Sequence, residues 1–159
     1  MPDLRALLTE AGFEDVRTYV QSGNVVLSSR VAPAKVGAQA EGLIADRFGF
    51  EVDVIVRTAE DLAEVVARNP LGEVASDPKR YQVGFLEAEP DSSAVERIAE
   101  LATGGEQVVA VGREVYSWHP AGAARSKLWA KLAANGLGVC ATSRNWTTVT
   151  TLHEMAQES

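Results

Sequence analysis

The chain has 159 residues, of which 46% are hydrophobic, and its formal net charge is −7. This apolar content suffices for a globular core and excludes a disordered chain, while no apolar run reaches the about 18 residues that a membrane span needs. The sequence therefore predicts a cytosolic protein that contacts no membrane. An acidic chain also repels polyphosphate, so nucleic acid is not expected as a partner.

The first predicted elements are a helix and a β-hairpin. A leucine repeat that begins after Pro2 and stops at Gly12 predicts a helix over residues 2–11. Two runs of β-branched and aromatic residues, 16–20 and 25–29, flank a turn that contains Gly and Asn. Because these turn residues tolerate positive φ, the runs are predicted to pair as a hairpin or to form one long bent strand.

Two more helices and a strand complete the first half. Pro33 opens a helix that a glycine ends, and the apolar run 52–56 predicts a strand. Thr58 and Asp61 form a capping-box pattern at the start of a third helix, which ends before Pro70.

The second half contains the same kinds of element in a longer series. Residues 71–79, which include a glycine and a proline, form the predicted linker. The elements predicted beyond it are a strand over 81–86, a helix over 91–102, a hairpin of strands 108–111 and 115–118, a helix over 126–134, a strand over 139–141 and a last helix that begins near Trp146.

Compared in order, the two halves repeat one pattern. The second half reads strand, helix, strand, strand, helix, strand and helix, and the first half lacks only the opening strand. The predicted fold class is therefore α+β, with duplicated ferredoxin-like (βαββαβ) subdomains over residues 1–72 and 79–159 that pack as one unit. Since the first subdomain lacks its opening strand, an unpaired sheet edge is expected, and Met1 is not expected to be the natural start.

Three segments carry specific motifs. They are residues 4–26 with Gln-Ser-Gly-Asn-Val-Val, residues 126–128 with Ser-Lys-Leu, and residues 142–149 with Arg-Asn-Trp-Thr-Thr-Val. Together they resemble a bacterial family catalogued as domain of unknown function 1697. The resemblance implies two ferredoxin-like subdomains and no established activity. Proteins of this family begin earlier, with a strand and a glycine-rich loop that this chain lacks, in agreement with the repeat pattern.

One cationic tract in this acidic chain predicts where a ligand binds. Residues 115–153 contain no Asp or Glu, but they contain Lys127 and Arg144 near two predicted helix N-termini, with Asn145 beside Arg144. Cations there oppose the helix dipole at a cost of roughly a few tenths of a kcal/mol each, which a bound anion would offset. The prediction is a small anionic or nucleotide-like ligand between the subdomains.

The hairpin turn offers further hydrogen-bonding groups to this ligand. Gln21, Ser22 and Asn24 bring amide and hydroxyl groups to a tight turn, where such groups suit a phosphate. The alternative is that these residues only satisfy the geometry of the turn.

Structural roles are also alternatives for the residues of the cationic tract. Arg144 is explained as well by an ion pair with a carboxylate of the first half, and Asn145 by a cap on the last helix. Trp146 lies in the apolar stripe of that helix, which favours packing in the core over stacking on a ligand.

Two other functions stay open beside ligand binding. An enzyme would need a general acid or base, for which His119 and Cys140 are the candidates, although no catalytic motif accompanies them. An interaction protein would use the unpaired sheet edge to form a homo-oligomer. Two histidines and one cysteine are too few for a metal site at these spacings, so no metal and no cofactor are predicted.

Overall fold

The fold is that of a computed structural model, which describes residues 2–19, 24–102, 105–120, 122 and 141–157. Within these residues, five helices and two antiparallel sheets form a mixed α+β fold. Contacts between Cα atoms group the chain into two compact units, Met1–Glu64 with Thr151–Ser159 and Val65–Thr150. None of the described helices is long and apolar enough to cross a membrane.

The first unit begins with the predicted helix and hairpin. Helix α1 (Pro2–Glu10) ends before Gly12, whose φ of 103° suits a residue without a side chain. Strands β1 (Glu14–Tyr19) and β2 (Asn24–Ser28) then pair antiparallel. The hairpin is therefore confirmed, and the alternative of one long bent strand is wrong.

The boundaries of the next two helices follow the local signals in the sequence. Helix α2 (Pro33–Phe48) starts at its proline and stops at Gly49, which adopts the left-handed conformation with φ of 77°. Helix α3 (Ala59–Arg68) follows a reciprocal capping box. The Thr58 N–H donates to Asp61 Oδ2 at 2.9 Å, and the Asp61 N–H donates to Thr58 Oγ1 at 3.1 Å, as predicted.

The strand predicted over residues 52–56 is wrong, because this run has no regular secondary structure. The Val54 N–H donates to the carboxylate of Glu41 on α2 at 2.9 Å rather than to a neighbouring strand. Val54 and Val56 pack against the core of the first unit, and Val56 lies close to the backbone of Gly37 on α2. The β-branched run therefore marks burial against a helix.

The second unit is built on a four-stranded antiparallel sheet. Two of its strands are those of the predicted hairpin, whose turn contains a glycine. Its elements after α3 are β3 (Tyr81–Leu86), α4 (Ser92–Ala99), β4 (Gln107–Val111), β5 (Glu114–Trp118), β6 (Ala141–Asn145) and the start of α5 (Trp146–Gln157). In space the strands lie in the order β4-β5-β3-β6. The predicted strand at 81–86, the second hairpin, α4 and the last helix are confirmed.

One face of this sheet packs against α4 and is called the α4 face. Leu86 of β3 and Val115 of β5 contact Ala94 and Ile98 of α4, and all four are buried. Residues at every second position of the strands share this face.

The opposite face, called the α3 face, carries the aromatic residues of the unit. Tyr81 and Tyr116 are buried there, and the Tyr116 hydroxyl donates to the Val65 carbonyl of α3 at 2.9 Å. Tyr81 stacks on Trp146, the first residue of α5, with ring centroids 4.8 Å apart. The end of α3 and the start of α5 therefore both contact this face.

Strand β6 extends further than the sequence predicts. Residues 142–145 were expected to form the joint between a strand ending at 141 and the last helix, but their pairing with β3 continues to the end of β6. Ser143 lies opposite Gly84, and Arg144 lies opposite Val83. The pairing partner is about 60 residues away in the chain, so local propensity does not reveal it.

The boundary between the predicted subdomains falls in a segment of turns. Within residues 71–79, Leu71 is buried and its carbonyl accepts turn hydrogen bonds from the following residues. The compact units divide the chain inside α3 and α5 instead, and subdomains over 1–72 and 79–159 stay a prediction. The helix predicted over 126–134 lies outside the described residues.

Candidate functional site

Arg144 is the described member of the predicted cationic pair, and it lies half-buried on β6. Its Nη1 donates to Thr142 Oγ1 at 2.7 Å and to the Ser143 carbonyl at 2.8 Å. Burial lowers the pKa of Arg144 from its ordinary value, because the charged guanidinium loses part of its hydration. The side chain is thus a partly desolvated cation that hydrogen-bonds to neighbouring residues of its own strand.

Three residues of this segment share the α3 face and are called the β6 stripe: Thr142, Arg144 and Trp146. Alternation along the strand places Thr142 and Arg144 on one side. Trp146 lies on the same side because its indole stacks on Tyr81, with an angle of 26° between the ring planes. A hydroxyl and a guanidinium on β6 and an indole at the start of α5 therefore lie on one side of the sheet.

Asn145 caps the last helix, which was the structural alternative for this residue. Its Oδ1 accepts a hydrogen bond from the Thr148 N–H at 2.9 Å. The Trp146 N–H donates to the Pro78 carbonyl at 3.1 Å. Two backbone N–H groups at the start of α5 therefore already have partners. Asn145 is adjacent to Arg144 in the strand, so the two side chains leave the sheet on opposite faces.

Asn24 is the described member of the predicted turn set, and it belongs to the first unit. It is only 6% exposed, and its Nδ2 donates to the Tyr19 carbonyl across the hairpin at 3.1 Å. This contact fits the structural alternative for the turn. Gln21, Ser22 and Lys127 lie outside the described residues, so their part in an anion site stays a prediction.

A second polar cluster, formed by the candidate acid or base His119 with two residues that the sequence did not indicate, lies on the α4 face at the end of β5. His119 Nε2 lies 2.8 Å from Ser117 Oγ, and His119 Nδ1 lies 3.4 Å from Glu106 Oε2. Strand alternation explains the meeting, since Ser117 and His119 are two positions apart and Glu106 precedes the neighbouring strand. Alternation beyond Trp118 was the signal in the sequence that pointed to this cluster.

The imidazole of His119 is held neutral. Burial lowers its pKa from the usual 6.5, and this effect outweighs the opposing hydrogen bond and charge of Glu106. A carboxylate accepts hydrogen bonds, so Nδ1–H donates to Glu106, and Nε2 then accepts from the Ser117 hydroxyl. Each of these three side chains therefore donates or accepts the hydrogen bond that its neighbour requires.

The order serine, histidine, acid is that of a catalytic triad, but burial argues against this role here. Ser117 is 2% exposed and His119 is 0% exposed. A nucleophile has to be reached by its substrate, and these side chains are covered. We interpret the cluster as a structural hydrogen-bond network. The described residues contain no group of three His, Cys, Asp or Glu side chains that would hold a metal ion.

The buried histidine predicts a dependence of stability on pH. Since the pKa of His119 is lowered in the folded chain, the unfolded chain binds a proton below about pH 6.5 that the folded chain does not. The contribution of His119 to the free energy of unfolding is therefore complete above pH 6.5 and falls below it, by at most about 1.4 kcal/mol per pH unit.

Urea unfolding between about pH 5 and pH 8 measures this slope. His119→Gln is the control, because glutamine keeps hydrogen-bonding groups but does not titrate. The slope below pH 6.5 is expected to be smaller in the variant. Equal slopes in the two proteins would mean that the imidazole is not protected from protonation.

Comparison with known proteins identifies a family but no activity. The model of the family described as "Protein of unknown function (DUF1697)" matches residues 1–116. No curated protein matches the chain. The β6 stripe lies beyond the matched residues.

A solved structure, that of the conserved bacterial protein SP0830 from Streptococcus pneumoniae, is similar to this chain at 20% sequence identity and a TM-score of 0.75. The similarity covers 98% of this chain and 88% of that chain. At this identity the likeness extends to the fold alone. The family match over most of the sequence shows that the chain belongs to the DUF1697 family of proteins of unknown function.

Proposed function

We propose that the second unit binds a small anionic ligand, nucleotide-like ligands included, at Arg144 on β6. The observation that carries the proposal is a half-buried guanidinium whose Nη1 is fixed by Thr142 Oγ1 and the Ser143 carbonyl. These two hydrogen bonds hold the guanidinium plane in one orientation. A planar guanidinium with fixed orientation suits the paired oxygens of a phosphate or carboxylate.

Partial burial strengthens the attraction between this cation and an anion. The lowered pKa of Arg144 reflects lost hydration, which a bound anion would replace with a direct contact. Two charges also attract each other more strongly where water is partly excluded than in bulk solvent. A ligand at Arg144 therefore gains more than one at a fully exposed arginine.

The charge of the chain favours a small ligand over a polymer. A net charge of −7 repels a long polyanion, whereas residues 115–153 contain four Lys or Arg residues and no Asp or Glu. An ion pair between Arg144 and a carboxylate of the first half remains the structural alternative to this proposal.

A thermal-shift experiment with inorganic phosphate and adenosine monophosphate tests the proposal. A ligand that binds only the folded chain stabilises it by about 2.7 kcal/mol at about 100 times its Kd. We expect a rise in Tm with the wild-type protein and no rise with Arg144→Ala. Arg97→Ala is the matched control, because Arg97 is an exposed arginine on α4 of the same unit.

The control distinguishes a specific site at Arg144 from nonspecific attraction of the anion by any surface arginine. An equal loss of the shift in Arg97→Ala and Arg144→Ala would contradict a site at Arg144. If no ligand raises the Tm while Arg144→Ala lowers it without ligand, Arg144 has a structural role and the proposal fails.

We also propose that the chain is a duplication of the ferredoxin-like pattern. The second unit has the chain order β3, α4, β4, β5, β6 and the sheet order β4-β5-β3-β6, which supports a split βαβ arrangement. The hairpin between α1 and α2 supports a shortened version in the first unit. This fold hosts many functions, so the functional proposal depends on Arg144 and not on the fold.

An interaction through a sheet edge is the second candidate function. Strand β4 has the sequence Gln-Val-Val-Ala-Val, without a charged residue or proline, and among the described residues it pairs only with β5. Edge strands in monomeric proteins are usually protected by such residues, so this composition supports a homo-oligomer. Sedimentation at micromolar concentration tests this candidate, and a monomer would count against it. An enzyme of unknown reaction has weaker support, since His119 is buried and the other candidate, Cys140, lies outside the described residues.

A further inference from the structure

The β6 stripe combines an anion-binding group with an aromatic ring, which narrows the class of ligand. Trp146 is partly exposed, although Tyr81 stacks on it. Arg144 and Trp146 lie on the same side of the sheet, two positions apart in the chain. Trp146 begins α5 directly after β6, and two residues of chain span at most about 7 Å, so the backbones of Arg144 and Trp146 lie within that distance of each other. A phosphate and a base attached to one ribose span a comparable separation.

Resting on the proposed function, we infer that the ligand is a nucleoside monophosphate whose base stacks on Trp146 while its phosphate binds Arg144. Indole is a large flat surface, and stacking of a base on an aromatic side chain contributes about 1–3 kcal/mol per base, which corresponds to about fivefold to 150-fold in affinity. The Trp146–Tyr81 stack holds the indole in one orientation, so little entropy is lost when a base binds.

The arrangement also selects against longer nucleic acids. One guanidinium and one indole match a single nucleotide, and the charge of −7 opposes the many phosphates of an RNA strand. Thr142, whose hydroxyl accepts a hydrogen bond from Arg144, stands on the side of the guanidinium away from the indole. The base is therefore expected on the Trp146 side only.

Isothermal titration of the full chain with three probes tests this inference. The probes are adenosine monophosphate, ribose 5-phosphate and inorganic phosphate. Ribose 5-phosphate lacks the base, and inorganic phosphate lacks both the base and the sugar. We expect adenosine monophosphate to bind the wild-type protein at least about fivefold more tightly than ribose 5-phosphate. In Trp146→Leu this difference is expected to disappear, while ribose 5-phosphate binds as in the wild type.

Ribose 5-phosphate serves as the internal test that the variant keeps the site at Arg144. Equal affinities for adenosine monophosphate and ribose 5-phosphate in the wild type would overturn the inference and leave the proposed function standing. A base preference that survives in Trp146→Leu, or a loss of ribose 5-phosphate binding in that variant, would also overturn it. Absence of binding by all three probes would overturn the proposed function as well.

Discussion

Replacing His119 by alanine is expected to lower the free energy of unfolding by about 3–5 kcal/mol. The imidazole is fully buried, so its removal leaves a cavity in a closely packed region. It also removes the hydrogen-bond partner of Ser117 Oγ and of the Glu106 carboxylate. Loss of a hydrogen-bond donor to a buried carboxylate lowers the free energy of unfolding more than the same loss at a neutral group. This substitution is therefore expected to be among the most destabilising in the second unit.

Urea denaturation of the purified variant measures this loss, provided that the variant folds at low temperature. His153→Ala is the matched control, because His153 is the only other histidine and its Nδ1 has no hydrogen-bond partner in the described structure. We expect the control to lose much less. Similar losses in the two variants would contradict the network around His119.

Replacing Tyr81 by alanine is expected to cost about 3–5 kcal/mol, again through loss of a buried side chain. The ring stacks on Trp146 at 4.8 Å, and its hydroxyl donates to Asn69 Oδ1 at 2.9 Å. Burial raises the pKa of Tyr81 to about 12, so the hydroxyl keeps its proton and donates this hydrogen bond at neutral pH. Tyr81→Phe keeps the ring and is expected to cost only about 1 kcal/mol.

The pair of variants separates the two contributions in the same denaturation experiment. Tyr19→Ala, which removes a half-buried tyrosine from the hairpin of the first unit, is the reference for loss of a ring elsewhere. If Tyr81→Phe is as unstable as Tyr81→Ala, the hydroxyl and not the stack on Trp146 dominates. That result would contradict the inference that stacking on Tyr81 fixes the indole of the β6 stripe.

Elements whose boundaries depend on local chemistry could be predicted from the sequence. Helix α2 lies between Pro33 and Gly49, and the reciprocal hydrogen bonds of Thr58 and Asp61 start α3. The turn of the second hairpin contains Gly112, which has a positive φ of 57°. In each case a residue and its neighbours in the chain determine the backbone.

Elements that depend on distant pairing could not be predicted in this way. Residues 52–56 have the composition of a strand, but Val54 and Val56 pack against the core that includes α2, and the segment has no strand partner within the described residues. Residues 142–145 have the composition of a loop, but β3 offers a partner for them. Strand propensity records how well a side chain fits a half-buried surface, so it does not distinguish these two outcomes.

The candidate site shows the same division between local and distant information. Uneven charge along the chain made Arg144 a candidate, and capping chemistry offered the alternative role for Asn145 that the structure shows. The register of β6 against β3 was needed to place Arg144 on the face where Trp146 stacks on Tyr81, and Asn145 on the other face. His119 was predicted only as a candidate general acid or base, and its contact with Glu106 could not be predicted because that residue lies across the sheet.

Nuclear magnetic resonance of the side chain of Arg144 tests the central claim most directly. In an assigned 15N spectrum, titration with adenosine monophosphate is expected to shift the Arg144 Nε signal and the backbone amides of residues 142–146. The signals of the exposed Arg97 and Arg113 are expected to remain in place. Shifts of equal size at all three arginines, or no shift at Arg144 at a saturating concentration, would contradict an anion site on β6.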